Sequence, residues 1–299
     1  MSRAAVRPLA GCLALGGLLA CREPRAAVPA GADPSHDLAG EPTWQVELPG
    51  ELHEVSGLAT AADGRLFAHG DEEAAVYQID PRAGTVLKRF SLAPTGSDPD
   101  LGKKSRDGRL AGDFEGIAIV EDRFFLITSN GVLLEFKEGE NGGTVPYEAY
   151  PTRLSEICEV EGLAHDDHTA SLLILCKTMR SKAEREQVAI YAWSLGERAL
   201  GPAPRLAVPW RELARVTGEE KFNGSALEVM PGDSSLLLVA GPQQLFAEIT
   251  MEGVPVRGGR LDGNAQPQPE GIALLQDGSV LVASEGGKGD ATISGYSAR

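Results

Sequence analysis

Residues 270–283 read EGIALLQDGSVLVA, and this stretch contains the pattern that decides the fold. Its first four residues are one copy of a phrase that occurs five times, and successive copies begin 59, 46, 64 and 45 residues apart. A unit of about 45 residues, lengthened twice by insertions, indicates a repeat architecture. The copies are Ser56-Gly57-Leu58-Ala59, Glu115-Gly116-Ile117-Ala118, Glu161-Gly162-Leu163-Ala164, Ser225-Ala226-Leu227-Glu228 and Glu270-Gly271-Ile272-Ala273.

Each unit has the pattern of four short antiparallel strands. In the last copy, Asp277-Gly278 separates two apolar runs, which is a strong hairpin signal. A third strand follows in every copy, and a weaker fourth follows in several. Four such strands per repeat are typical of the blade of a β-propeller. The sequence therefore predicts an all-β protein, a five-bladed β-propeller, with a sixth blade in 94–112 or 195–222 as the alternative.

The two ends of the chain fit a closed ring. Three strands fit between Glu270 and Arg299, so the last blade lacks its fourth strand. Residues 44–48 precede the first copy and belong to no unit. We expect this N-terminal strand to complete the last blade and so remove an exposed sheet edge.

The first residues have the pattern of a bacterial export signal. Arg3 and Arg7 precede an apolar stretch that ends at Ala20, which is too short to span a bilayer. Leu18-Leu19-Ala20-Cys21 resembles a bacterial lipobox, which implies cleavage before Cys21 and a lipid on its thiol. The alternative is an ordinary secretory signal with an incidental cysteine.

The predicted organisation is a lipoprotein signal peptide (1–20), a flexible Pro- and Ala-rich tether (21–42) and a single propeller domain (43–299). The protein would then be attached by lipid to the bacterial cell envelope, on its periplasmic or extracellular face. We expect it to be a monomer.

Cys158 and Cys176 remain after Cys12 leaves with the signal and Cys21 carries the lipid. The two flank a hairpin and lie nine residues on either side of Asp167. Residues equidistant from a turn face each other across an antiparallel pair. In an oxidising compartment this predicts a disulfide, with two free buried thiols as the alternative.

The formal net charge of −15 limits the possible partners. Such a surface repels phosphate backbones, so we expect no nucleic-acid partner. It favours cations, although acidity is also a common means of keeping a secreted protein soluble.

The first residues of the five phrases are the candidates for a binding site. If each phrase lies on the innermost strand of its blade, Glu115, Glu161 and Glu270 converge on the central channel together with Ser56 and Ser225. Converging carboxylates repel one another unless a cation intervenes, and Ca²⁺ prefers oxygen ligands. The predicted metal ligands are Glu115, Glu161, Glu270, Glu285, Asp71 and Asn130. The alternative is that these side chains cap backbone N–H groups or are solvated.

Lys177 is a further candidate and lies at the predicted end of a second strand. It opens an insertion with four basic residues between 177 and 185, which could receive a phosphate or a carboxylate next to a metal. A solvated loop that balances local charge explains the same pattern. Should the protein be an enzyme, Glu115 and Glu270 are the candidate bases, and Lys177 completes the candidate catalytic set.

The order of these motifs resembles the SdiA-regulated family of bacterial envelope β-propellers and, more distantly, the esterase-like phytase propellers. The resemblance spans about residues 50–299 and is carried by Val55-Ser56-Gly57-Leu58, Phe114-Glu115-Gly116-Ile117, Val160-Glu161-Gly162-Leu163, Ser225-Ala226-Leu227 and Pro269-Glu270-Gly271-Ile272. It implies an envelope propeller with a calcium-related role.

Three functions follow as hypotheses. The first is a calcium-binding envelope module that contacts a protein or a small anionic ligand through the propeller face. The second is a metal-dependent hydrolase of phosphoesters or lactones, in which bound metal activates water. The third is a structural envelope protein with an empty channel.

Overall fold

The second strand of each blade is a continuous apolar run, such as Ser235–Ala240, rather than an alternation of apolar and polar residues. Such runs are typical of strands that are buried on both faces. The computed structural model describes residues 36–94, 103–104, 109–233 and 235–298. It contains five sheets in a ring, and contacts between their innermost strands form a closed cycle. The five-bladed β-propeller predicted from the repeats is therefore confirmed.

The strands run from the channel outward in each blade. Strand β1 (Trp44–Glu47) precedes the first blade. The first blade contains β2 (Val55–Thr60), β3 (Leu66–Gly70), β4 (Ala75–Ile79) and β5 (Val86–Leu92), and the second contains β8 (Phe114–Val120), β9 (Arg123–Thr128), β10 (Val132–Lys137) and β12 (Tyr147–Pro151). Strand β11 (Thr144–Val145) follows β10 in the chain but pairs parallel with β5, so it extends the sheet of the first blade. Two short strands, β6 (Lys103–Lys104) and β7 (Leu110–Ala111), pair with each other between these blades.

The remaining blades follow the same order. They contain β13 (Cys158–Asp166), β14 (Ser171–Met179), β15 (Gln187–Ser194), β16 (Ala199–Leu200), β17 (Leu206–Pro209), β18 (Ala226–Val229), β19 (Ser235–Ala240), β20 (Leu245–Thr250), β21 (Pro255–Arg260), β22 (Pro269–Leu274), β23 (Val280–Ser284) and β24 (Thr292–Tyr296). The helices in the described part of the chain are α1 (Trp210–Thr217) and four 3₁₀ turns, Gly50–Leu52, Leu154–Glu156, Pro231–Asp233 and Gly241–Gln243.

The N-terminal strand closes the ring as predicted. Strand β1 pairs antiparallel with β24, so the last sheet has the order β22-β23-β24-β1. Chain segments from opposite ends of the domain are thus hydrogen-bonded in one blade, and the ring is closed without a covalent link.

Neither insertion forms a sixth blade in the described residues. Strands β16 and β17 both pair with β15 and belong to the third blade, and α1 follows them. The described part of 94–112 contributes the β6–β7 pair. The six-bladed alternative is therefore wrong, because the inserted residues that the structure describes extend the third blade, form the helix or form a two-stranded pair, and none of these is a four-stranded blade.

The core is divided into five apolar clusters, and each lies between two successive blades. Between the first two blades, for example, Phe67 and Phe124 meet edge to face with ring centroids 5.0 Å apart. The apolar faces of each sheet are therefore buried by its neighbours, which explains why the strands lack an alternating pattern.

The chain before β1 also packs on the propeller. Leu38 is fully buried in the cluster between the fourth and fifth blades, and the His36 ring nitrogen Nε2 lies 2.6 Å from the carbonyl oxygen of Gly278. The last part of the predicted tether therefore contacts the domain. The predicted signal peptide, Cys21 and the rest of the tether lie outside the described residues.

The glycine of the repeated phrase allows the innermost strands to approach one another closely. A Cβ atom on Gly116 would lie 2.7 Å from the backbone nitrogen of Leu163 in the next blade. A Cβ atom on Gly271 would lie 3.2 Å from the backbone nitrogen of Leu58, across the closure of the ring. Because backbone cannot move aside as a flexible side chain can, glycine at these positions permits a narrow channel.

We expect Gly116→Ala to lower the free energy of unfolding by about 1–3 kcal/mol, because its methyl group would press on the backbone of Leu163. Urea denaturation measures the change. Gly196→Ala is the matched control, since no atom lies within 4 Å of a Cβ placed there. Equal stability of the two variants would contradict the close-approach argument.

Candidate functional site

In four of the five phrases, a shift in strand register leaves the first residue without a partner on the neighbouring strand. In the first blade, Val55 pairs with Gly70 and Gly57 pairs with His69, so Ser56 has no partner across the ladder. The same one-residue shift occurs at Glu115, Glu161 and Glu270. A β-bulge of this kind turns a side chain away from the regular pleat. In the fourth blade, Ser225 directly precedes β18 and donates its backbone N–H to the carbonyl of Val239.

The third residues of the phrases close the channel below these side chains. They are aliphatic in every blade, and all are at most 5% exposed. We call them the aliphatic floor: Leu58, Ile117, Leu163, Leu227 and Ile272.

Above the floor lies a cavity of about 10 Å³, which is room for one water-sized group. Its polar lining comes from Ser56, Glu115 and Glu270. We call this site the acidic cup, defined by these three residues together with Glu161 and Lys177. The structure therefore brings together the carboxylates that the sequence predicted to converge.

Glu161 forms an ion pair with Lys177 beside that cavity. The Lys177 Nζ atom donates to Glu161 Oε1 at 2.8 Å, and the Glu161 side chain is 4% exposed. A second register shift makes Lys177 the unpaired residue on β14, because Glu159 pairs with Thr178 and Val160 with Cys176. Burial by itself lowers the pKa of Lys177, but the Glu161 carboxylate outweighs it, and the net shift is upward. Lys177 is therefore held as an ammonium ion.

Glu115 and Glu270 lack such a partner within the described residues. The Ser56 hydroxyl lies 3.5 Å from Glu115 Oε2, and burial followed by the charge of Glu161 raises the pKa of Glu115 well above its usual range. For Glu270, burial and then Glu161 raise the pKa to about 8, while Lys177 partly opposes the shift. The cup thus contains three carboxyl groups and one ammonium group above an apolar floor. Glu115 and Glu270 keep their protons at neutral pH, because in the ionised form they would be buried without full compensation.

The residues after the second strands lie at the same end of the channel, called here the rim. Burial, followed by the charge of Glu54, raises the pKa of Asp71 to about 6. Among the described residues the Asp71 Oδ1 atom is buried without a hydrogen-bond partner. Burial and then Asp71 raise the pKa of Glu285, and the charge of Glu285 in turn contributes to the raised pKa of Glu270. Asp71 and Glu285 therefore continue the acidic field of the cup outward.

Asn130 lies in the turn after β9. The Thr128 hydroxyl donates to its Oδ1 atom at 2.5 Å. The residue that directly follows β9 is Ser129, which therefore corresponds to Asp71 after β3 and to Glu285 after β23. The Ser129 hydroxyl donates to Asp113.

Sequence reasoning missed a second ring of polar residues. Each lies two positions before a phrase, and this regularity could have revealed them: Glu54, Asp113, Glu159, Asn223 and Gln268. The charges of the three acids raise the pKa of neighbouring carboxyl groups in the cup or at the rim. The side chain of Gln268 donates a hydrogen bond to Glu285. The Asn223 amide donates to the carbonyl of Lys177 at 3.4 Å.

The predicted disulfide is present, although the residue facing each cysteine differs from the prediction. Cys158 and Cys176 are bonded, with their Cα atoms 5.8 Å apart. Cys158 faces Met179, however, and Cys176 faces Val160. The prediction that the two cysteines are directly opposed is wrong, because the innermost pair of the hairpin is Asp166 with Ser171 and because Lys177 is unpaired. The bond thus joins the two strands beside the Glu161–Lys177 pair.

Within the described ranges, no group of three or more His, Cys, Asp or Glu side chains is arranged to hold a metal ion. No helix in the described part of the chain is long and apolar enough to cross a membrane. The calcium prediction remains a prediction.

Comparisons with known proteins identify the fold. No protein-family model and no curated protein matches the chain, so the resemblance to the SdiA-regulated family remains a prediction. The glutaminyl cyclase of Myxococcus xanthus is similar in structure, with a TM-score of 0.54 and 14% identity over 86% of this chain and 94% of that chain. A luciferin-regenerating enzyme has a TM-score of 0.50 and 11% identity over 85% of this chain and 95% of that chain. At such identities the likeness is one of fold alone.

The raised pKa of Glu270 predicts that the protein becomes less stable as the pH rises. Between the ordinary glutamate pKa of 4.5 and about 8, the unfolded chain has released a proton that the folded chain keeps. Unfolding then releases a proton, so the free energy of unfolding falls with rising pH over this range. Urea titrations across this window measure the slope.

Glu270→Gln is expected to make that slope shallower, because the amide stays neutral. Glu252→Gln, an exposed position on the hairpin between β20 and β21, serves as control and keeps the slope of the unmodified protein. A Glu270→Gln profile parallel to that of the control would contradict the assignment.

Proposed function

We propose that the protein is a β-propeller of the bacterial cell envelope that binds a cation in the acidic cup and acts as a binding module. The observation that carries this proposal is the excess of buried carboxyl groups over basic groups in the cup. Three largely buried carboxyl groups are accompanied by one ammonium group, and two of the three, Glu115 and Glu270, form no ion pair with a basic residue among the described residues. A bound cation would compensate Glu115 and Glu270 in their ionised forms, which burial and mutual repulsion otherwise disfavour.

Calcium was the cation expected from the sequence, and Glu115, Glu270 and Ser56 are the residues that would hold it. Bound there, the ion would compensate the carboxylates. The arrangement observed fits a calcium ion poorly, since calcium takes six to eight oxygen ligands whereas the floor of this cup is aliphatic. Calcium is therefore one of several cations to be tested.

Hydrolysis with a metal-activated water gains no support from the geometry. That reaction needs a metal held with an open coordination position and a base beside it. The described residues show no such ligand group. A binding role requires no further feature, so it is the function we propose.

The proposal is tested by thermal unfolding at constant ionic strength in the presence of CaCl₂, MgCl₂, KCl or methylammonium chloride. At saturation, at least one cation is expected to raise the unfolding midpoint by about 5 °C or more, because a ligand that binds the folded state alone stabilises it. Glu115→Gln with Glu270→Gln is expected to abolish the shift, and Glu252→Gln to preserve it. If no cation gives a shift that depends on these two glutamates, the cup is not a cation site.

Attachment to the membrane is the second part of the proposal, and it rests on Leu18-Leu19-Ala20-Cys21. When the full chain is expressed in a bacterial host, we expect it to incorporate labelled fatty acid and to sediment with membranes. Cys21→Ser is expected to release it into the soluble fraction, with Cys12→Ser as the matched control. Equal sedimentation of the two variants would refute the anchor.

A further inference from the structure

We propose that the cation is organic: a linear diamine or polyamine with one terminal ammonium group in the acidic cup and a second in an acidic cavity at the rim. This inference rests on the proposed cation site and names the class of its ligand. It begins from the poor fit between the cup and a metal ion.

The size of the cup limits which cation enters. About 10 Å³ is open between Ser56, Glu115 and Glu270, and this space accepts one water-sized group. A primary ammonium group has that size. A hydrated metal ion or a guanidinium group is larger.

The distribution of oxygen atoms favours an ammonium group over a bare metal ion. A metal ion binds ligands all around itself, and the aliphatic floor offers none from below. A primary ammonium has three N–H donors that splay sideways from the axis of its carbon chain. With the chain pointing out toward the rim, these donors face the walls, where Glu115, Glu270 and Ser56 present oxygen atoms. The donors do not point at the floor.

Lys177 shows the same chemistry within the protein. Its primary ammonium group donates to a wall carboxylate, Glu161, at 2.8 Å in this cup. Glu115 and Glu270 have no lysine or arginine partner in the described part of the chain. A ligand ammonium would give them the kind of partner that Lys177 gives Glu161.

The second ammonium has a place at the rim of the first blade. A cavity of about 250 Å³ lies there, and we call it the rim cavity. Its carboxylates outnumber its basic groups, and its lining includes Glu51, His53, Glu54, Asp71, Glu72 and Arg109. The buried Asp71 Oδ1 atom has no hydrogen-bond partner among the described residues, so it is available to a ligand donor. Glu285 carries the acidic field between this cavity and the cup.

The experiment is isothermal titration of the purified protein, at constant ionic strength, with n-butylamine, 1,4-diaminobutane, spermidine and CaCl₂. These amines carry one, two and three ammonium groups on similar chains. We expect 1,4-diaminobutane to bind about tenfold more tightly than n-butylamine, which is the effect of one additional partly buried ion pair. Spermidine is expected to bind at least as tightly as the diamine.

Variants separate the two ends of the ligand. Glu270→Gln is expected to weaken the binding of n-butylamine and of 1,4-diaminobutane alike by about tenfold or more, because it removes a carboxyl group that can ionise and pair with the bound ammonium. Asp71→Asn is expected to weaken the diamine while leaving n-butylamine unchanged. Glu252→Gln is the control for overall charge. Each variant is checked for folding by its thermal midpoint.

The outcomes distinguish this inference from the function on which it rests. If calcium or another metal ion binds through Glu115 and Glu270 while the amines do not, the cup is a metal site and the amine proposal is overturned. If n-butylamine and the diamine bind equally, the rim cavity takes no second ammonium, and the diamine class is wrong. If no cation binds, the proposed function itself fails.

Discussion

The close approach of the five innermost strands is the constraint on which the rest of the structure depends. Without a side chain on Gly116 and Gly271, the backbones of neighbouring blades come near enough for the aliphatic residues of the phrases to meet at the axis. They close the channel and form a floor. The site is therefore a cup with an apolar floor, and Ser56 and the carboxyl groups of the cup lie in partly dehydrated surroundings.

The bulges add charge to this apolar setting. Each turns one side chain out of the ladder, so three glutamates meet where water is scarce. Lys177, unpaired through a second bulge, satisfies Glu161. Glu115 and Glu270 remain without a basic partner among the described residues, and such uncompensated burial is typical of sites built for a ligand rather than for stability. The Cys158–Cys176 bond holds the two strands that carry the satisfied pair.

Departures from symmetry give the site its direction. The five phrases repeat, but the residues at the ends of the second strands differ: Asp71 follows the second strand in the first blade, Ser129 in the second, Gly241 in the fourth and Glu285 in the fifth. In the third blade Lys177 is the unpaired residue near the end of β14. Positive charge therefore lies on the side of the third blade, and the rim cavity lies on the acidic side. Proteins of similar fold include a glutaminyl cyclase and a luciferin-regenerating enzyme, so the fold leaves the function open. The function of this protein therefore depends on these particular residues.

The sequence alone determined the fold, the closing strand and the convergence of Glu115, Glu161 and Glu270, because a repeat places equivalent residues at equivalent heights around one axis. It also identified the two bonded cysteines. The tertiary structure decided the register, since a one-residue bulge leaves no mark in an apolar pattern. That is why Cys158 faces Met179 and why Lys177 contacts Glu161. The floor and the rim cavity also appear only in the folded protein, because they depend on distances between residues that a linear pattern does not contain.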